Sequence, residues 1–135
     1  NAGEFTGTFR GNNLAFATST KMMQMYWSDN LFEQDTKYKG IFVRDALQAI
    51  ADTYESLDFT VNGNGLLCGL NVKNTELADN VTRAAFARQL IVETCGAGDQ
   101  VVKLLPPLTT TDEELRIGLE RLSDAFAEVC VASVA

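Results

Sequence analysis

The stretch of this chain best equipped for chemistry is Gly7-Thr8-Phe9-Arg10-Gly11-Asn12-Asn13. A Gly-Thr pair ahead of a helix presents a hydroxyl and unpaired backbone amides at the helix entrance, where hydrogen bonding and the helix dipole both favour an anion such as a phosphate. The plainer alternative is that Thr8 only organises a turn. A second stretch, Asn62-Gly63-Asn64-Gly65, spaces its glycines for a turn or bulge, in which the two Asn residues would tolerate positive φ. Other chemistry is excluded by what is missing. The chain has no histidine, which removes the commonest general base and the Ser-His and Cys-His nucleophile pairs, and so argues against a hydrolase. Cys68, Cys95 and Cys130 are odd in number, far apart and set in apolar surroundings. They are expected to be buried, reduced thiols rather than a disulfide framework or a zinc site. The pair Glu113-Glu114 is better explained by helix capping than by acid-base work.

The elements that must position these residues can be read from periodicity. Residues 1–11 favour loop, and helical composition runs from Asn12 to about Trp27. Met22, Met23 and Met25 fall in that helix and read as core filler, with a cofactor-facing or interface surface as the other reading. Ser28 or Asp29 can cap a second helical segment. In it Val43, Leu47, Ile50 and Tyr54 make one apolar stripe, while Lys37, Lys39 and Arg44 read as its solvated side. From Asp58 to Val72 the pattern switches to an antiparallel hairpin centred on the glycine-spaced turn. A helix starting at Asn74 or Thr75 follows, then two β-like runs at Leu90–Thr94 and Gln100–Leu104. Pro106-Pro107 stops the second run, since neither can donate a ladder hydrogen bond. Thr111-Asp112-Glu113-Glu114 fits a capping box that opens a last helix with a Leu115, Leu119, Leu122, Phe126, Val129 stripe. The order predicts an α+β domain: a small, mostly antiparallel sheet of about four strands covered by helices and preceded by a long helical segment. One domain is expected over residues 1–135, comprising a loop at 1–11, a helical segment at 12–55 and an α+β part at 57–135.

Composition limits the partners. A hydrophobic share of 46% with 21% charged residues is that of an ordinary globular chain. The formal charge of −7, without a basic patch, argues against nucleic acid or an anionic membrane surface. No apolar run reaches the roughly 20 residues of a membrane span and no signal-peptide layout opens the chain, so the expected compartment is the cytoplasm.

Three stretches in this order, the Gly7–Phe16 loop, Asn62-Gly63-Asn64-Gly65-Leu66-Leu67-Cys68-Gly69, and Val101-Val102-Lys103-Leu104-Leu105-Pro106-Pro107-Leu108-Thr109, resemble the C-terminal third of a class III aminotransferase of the fold-type I superfamily. The loop wording, with Tyr26-Trp27 after it, is similar to the diaminobutyrate–2-oxoglutarate branch. The resemblance implies the small C-terminal domain of a pyridoxal-phosphate transferase fold. It implies that Thr8, with Gly7 and Phe9, contacts the phosphate of pyridoxal phosphate held mainly by the other subunit of a dimer. Asn62 stands where family members often carry an Arg that grips the substrate carboxylate in two parallel hydrogen bonds. Asn62 and Arg10 are the substrate-side candidates; because Asn cannot supply that charge, either recognition has moved, to Arg10 or the absent portion, or the pattern aligns differently, or this copy is altered in activity. The family's cofactor-linking lysine would precede Asn1, and Lys21, Lys37, Lys39, Lys73 and Lys103 all read as surface residues. No catalytic residue and no metal ligand is therefore assigned. The chain alone is expected to bind no cofactor, to be inactive without the missing large domain, and to self-associate through its helical segment. The other reading is a free-standing interaction and oligomerisation module built on the same small-domain fold.

Overall fold

The computed structural model describes residues 11–134, with side chains through Val131. The elements are α1 (Asn13–Tyr26), α2 (Leu31–Thr53), β1 (Thr60–Asn64), β2 (Leu67–Asn71), α3 (Thr75–Ala87), β3 (Glu93–Cys95), β4 (Val101–Leu104) and α4 (Asp112–Val134). The chain divides into two compact units, 1–35 and 36–135, so that α2 runs across the division.

Helix starts follow from side chains that satisfy orphan amides. Asn12 Oδ1 accepts from Ala15 N at 3.1 Å, Asp29 Oδ1 from Leu31 N at 2.9 Å, and Asn74 Oδ1 from Leu77 N at 2.9 Å. At α4 the capping box closes in both directions. Thr111 N donates to Glu114 Oε2 at 2.8 Å and Glu114 N to Thr111 Oγ1 at 3.3 Å. In the first unit, Phe32 packs against Tyr26 and Trp27 with ring centroids 4.7 and 5.0 Å apart, which ties the end of α1 to the start of α2.

In the second unit the sheet runs β1-β2-β4-β3, every neighbour antiparallel. Cross-strand partners share a face, so the pairs Val61↔Leu70, Cys68↔Leu104, Leu70↔Val102 and Thr94↔Val102 line one side. That side meets the buried stripes of the helices: Val43, Leu47 and Ile50 from α2, Ala78, Val81 and Ala85 from α3, and Leu115, Leu122, Phe126 and Cys130 from α4. Phe126 is wholly buried, with its ring 5.9 Å from that of Phe59. Each fully buried Val, Leu, Ile or Phe among them contributes about 1.5–3 kcal/mol of burial. The opposite side of the hairpin carries Thr60, Asn62, Asn64 and Leu67, all exposed.

The α+β architecture and the four-stranded sheet agree with expectation, and several local readings do not. The turn is shorter than the glycine spacing suggested. Asn62, Gly63 and Asn64 lie within β1, and only Gly65-Leu66 forms the loop. Neither Asn has positive φ, whereas Gly63 (+104°) and Gly65 (+56°) do, and Gly at the first of two loop positions suits a type II′ turn. The strand expected at Leu90–Thr94 is only Glu93–Cys95, because Gln89 takes positive φ (+61°) and Leu90 N returns to Ala85 O to close the end of α3. Lys39 is buried, at 7% exposure, not solvated. It stands four residues before Val43 and eight before Leu47, on the stripe that faces the core. Met22, Met23 and Met25 are 42%, 49% and 57% exposed, and α1 buries no residue, so they do not fill a core. Cys68 and Cys130 are buried as expected, but Cys95, on the edge strand β3, is only half-buried.

Candidate functional site

Of the residues the sequence singles out, Gly7, Thr8, Phe9 and Arg10 lie outside the described residues. Asn62 lies at the centre of β1, paired with Gly69 of β2, on the exposed side of the hairpin. The placement of Asn62 is decided by its surroundings. β1 is an edge strand, and its neighbour Gly63 closely approaches β2. A Cβ on Gly63 would come 2.3 Å from Leu67 O and 2.6 Å from Cys68 Cα. Only glycine fits there, both for space and for sign of φ.

The helix α2 supports this hairpin from the core side. Gly40 faces the loop so closely that a Cβ would stand 2.7 Å from Gly65 Cα. One helical turn on, the Arg44 guanidinium donates through Nη2 to Gly63 O at 2.9 Å. Next to this contact, burial pushes the Cys68 thiol above its usual range, and the positive charge of Arg44 opposes the rise to a smaller extent. The same direction holds for Cys130, again through burial. Both thiols are therefore protonated and unreactive at neutral pH.

Sequence reasoning missed the part played by Gly40 and Arg44. Arg44 looked like one more solvated helix charge. A glycine inside a helix costs about 1 kcal/mol relative to alanine, and that unfavourable choice was the available signal of a close backbone approach.

Two of the five lysines among the described residues are engaged by carboxylates. The cofactor needs an amine free to bond its aldehyde and an acid facing its ring nitrogen. Lys73 and Asp58 are paired with each other, and Lys103 is held by Glu93 at 2.8 Å. Glu93 is held below the usual carboxylate range first by that hydrogen bond and then by the charge of Lys103, which is raised in turn by the same partner. The groove of about 480 Å³ beside β4 is lined mainly by Leu90, Val92, Leu105, Pro107 and Leu119. The two charged groups at that groove are already engaged, Lys103 with Glu93 and Glu114 with Thr111. No group of three or more metal-ligating side chains occurs among the described residues. Nor is any helix among them long and apolar enough to cross a membrane.

The profile of the family described as aminotransferase class-III matches residues 1–126. A diaminobutyrate–2-oxoglutarate transaminase of Nocardia farcinica is 45% identical over 128 residues, which is 95% of this chain and 29% of that protein. An uncharacterized aminotransferase of Sinorhizobium fredii is 42% identical over 125 residues, 93% of this chain and 28% of that one. Among solved structures, an N-acetylornithine aminotransferase of Stenotrophomonas maltophilia superposes with a TM-score of 0.74 at 27% identity, over 90% of this chain and 33% of its own. A lysine aminotransferase of M. tuberculosis superposes at 0.78 with 23% identity, over 95% and 29%, and this likeness is one of fold alone. The chain thus spans under a third of the length of the proteins it matches.

Proposed function

The chain belongs to the class III aminotransferase family, and from that premise we propose that it is the small C-terminal domain of a pyridoxal-phosphate transaminase that moves an amino group from an amino acid, diaminobutyrate, to a 2-oxo acid. The observation that carries this reading is the family match over residues 1–126, supported by relatives named diaminobutyrate–2-oxoglutarate transaminase at 43–45% identity. Bound in the intact enzyme, the cofactor would act as the electron sink that lets the amino group and α-proton be exchanged. This chain's share is recognition. Thr8, with Gly7 and Phe9, offers a hydroxyl and backbone amides to the phosphate, and Asn62 and Arg10 face the substrate. The lysine and ring-nitrogen acid belong to the large domain, so the chain alone neither holds the cofactor nor transaminates.

The enzyme works as a homo-oligomer in the cytoplasm. Leu14 at 79% exposure and Phe16 at 60% favour association, because apolar side chains so exposed on one helix gain by being covered.

The test is amino transfer from diaminobutyrate to 2-oxoglutarate by the full-length enzyme, with and without Thr8→Ala. Loss of one charge-assisted hydrogen bond to the phosphate should weaken cofactor binding about tenfold. Unchanged cofactor affinity in the variant, or a lysine of the isolated chain fixed to the cofactor by borohydride, would overturn the assignment.

A further inference from the structure

The contact between α2 and the β1–β2 hairpin has no role in the reading above, and its geometry suggests one. The loop Gly65-Leu66 closes on the pair Asn64↔Leu67. Hydrogen-bonded and non-hydrogen-bonded pairs alternate along an antiparallel ladder, so at Gly63 the carbonyl turns away from β2. On an edge strand such a carbonyl has no ladder partner. Arg44 Nη2 supplies one at 2.9 Å. Gly40, one turn earlier, sets a steric stop against Gly65. The helix therefore holds the hairpin at Gly63 and at Gly65. These are the two residues whose positive φ and missing side chains would otherwise leave this end of the hairpin its loosest part.

We propose that Arg44 is a positioning residue for substrate recognition: by holding the Gly63 carbonyl it fixes where Asn62 stands against the substrate carboxylate. This rests on the reading that Asn62 faces substrate. Arg44 acts through the backbone, because Asn62 projects to the exposed side of the hairpin, away from the side on which α2 packs. Its role is distinct from the general stabilisation given by ion pairs. Arg88 and Arg116 are bound to glutamates, whereas among the described residues the guanidinium of Arg44 makes this one hydrogen bond and meets no carboxylate. The side chain is exposed, so its loss opens no cavity and leaves no buried charge unpaired.

The test uses the full-length enzyme with diaminobutyrate and with 1,3-diaminopropane, the same skeleton without its carboxylate, read as KM or, where there is no turnover, as the inhibition constant. Arg44→Met should raise KM for diaminobutyrate about tenfold, the scale of one charge-assisted hydrogen bond, with the diaminopropane value unchanged. Arg44→Lys, which keeps a cationic donor, should recover most of that loss. Amide exchange at 63–67 should quicken in the Met variant at unchanged thermal stability. Asn62→Ala separates the two layers. If it leaves the diaminobutyrate KM unchanged, the reading of Asn62 fails and the proposal with it. If it raises that KM while Arg44→Met does not, or if Arg44→Met affects both amines alike, the reading of Asn62 stands and the positioning role is wrong. Should the Met variant not fold, Arg44→Gln is judged by the same criteria, with partial recovery expected through its retained donor.

Discussion

Two helical glycines should respond with opposite sign to the same substitution. Replacing an interior helix glycine by alanine ordinarily stabilises by about 1 kcal/mol, since alanine has less backbone freedom to lose. At Gly118 in α4 that gain should appear nearly whole, because the new Cβ would find its nearest neighbour, Leu90 Cδ1, at 3.7 Å, an ordinary contact. At Gly40 in α2 the new Cβ would stand 2.7 Å from Gly65 Cα and 3.0 Å from Gly65 C. These are backbone atoms of a loop whose other side is held by the strand pairing of Asn64 and Leu67, so relief requires the hairpin or the helix to move. Overpacking of this kind costs about 1–3 kcal/mol. After subtraction of the propensity gain, Gly40→Ala should be destabilising by about 1 kcal/mol, and the two variants should differ by about 2 kcal/mol. Urea unfolding of the chain at equilibrium would measure this directly. In thermal scans the separation should be roughly 8 °C for a chain of this size. If Gly40→Ala stabilises the chain as much as Gly118→Ala, the close approach of α2 to the hairpin is wrong, and the positioning role drawn from it goes too.

Three further outcomes test other parts of the structure. Phe126→Ala should cost about 3–5 kcal/mol in the same unfolding assay, because a wholly buried ring that packs on Phe59 leaves a cavity the core cannot collapse around. Thr111→Ala should cost about 1 kcal/mol through the lost cap. The Glu114 carboxyl is held below its usual range by hydrogen bonds from the Thr111 amide and hydroxyl, so this part of the stability is present above the unfolded carboxyl pKa and lost as pH falls through the folded one. Wild type and Thr111→Ala should therefore draw closer in acid without meeting, since the bond from Glu114 N to Thr111 Oγ1 does not titrate, and a gap independent of pH would refute the contact between the Thr111 hydroxyl and the Glu114 carboxylate. A thiol reagent at neutral pH should label Cys95 alone in the native chain and all three cysteines after unfolding, since burial shields Cys68 and Cys130 and raises their thiols. Rapid native labelling of Cys130 would contradict its place on the buried face of α4.

What the sequence determined by itself is whatever depends on neighbours along the chain. The helix starts at Asn12, Asn74 and Thr111, the stripes of α2 and α4, and the stop after Leu104 all follow from side chains within four residues of the backbone they satisfy or the face they share. The sheet and its helix-covered face follow from the order of those elements. What the tertiary structure decided involves residues far apart in the chain. That Asn62 belongs to an edge strand and not to a turn depends on which pair closes the loop. That Lys39 is buried depends on which face of α2 meets the sheet, and the chemical type of a residue does not report this. That Gly40 and Arg44 serve the hairpin depends on distances of about 3 Å to residues 63 and 65, some twenty positions away. Periodicity carries information about faces, and only packing converts faces into contacts.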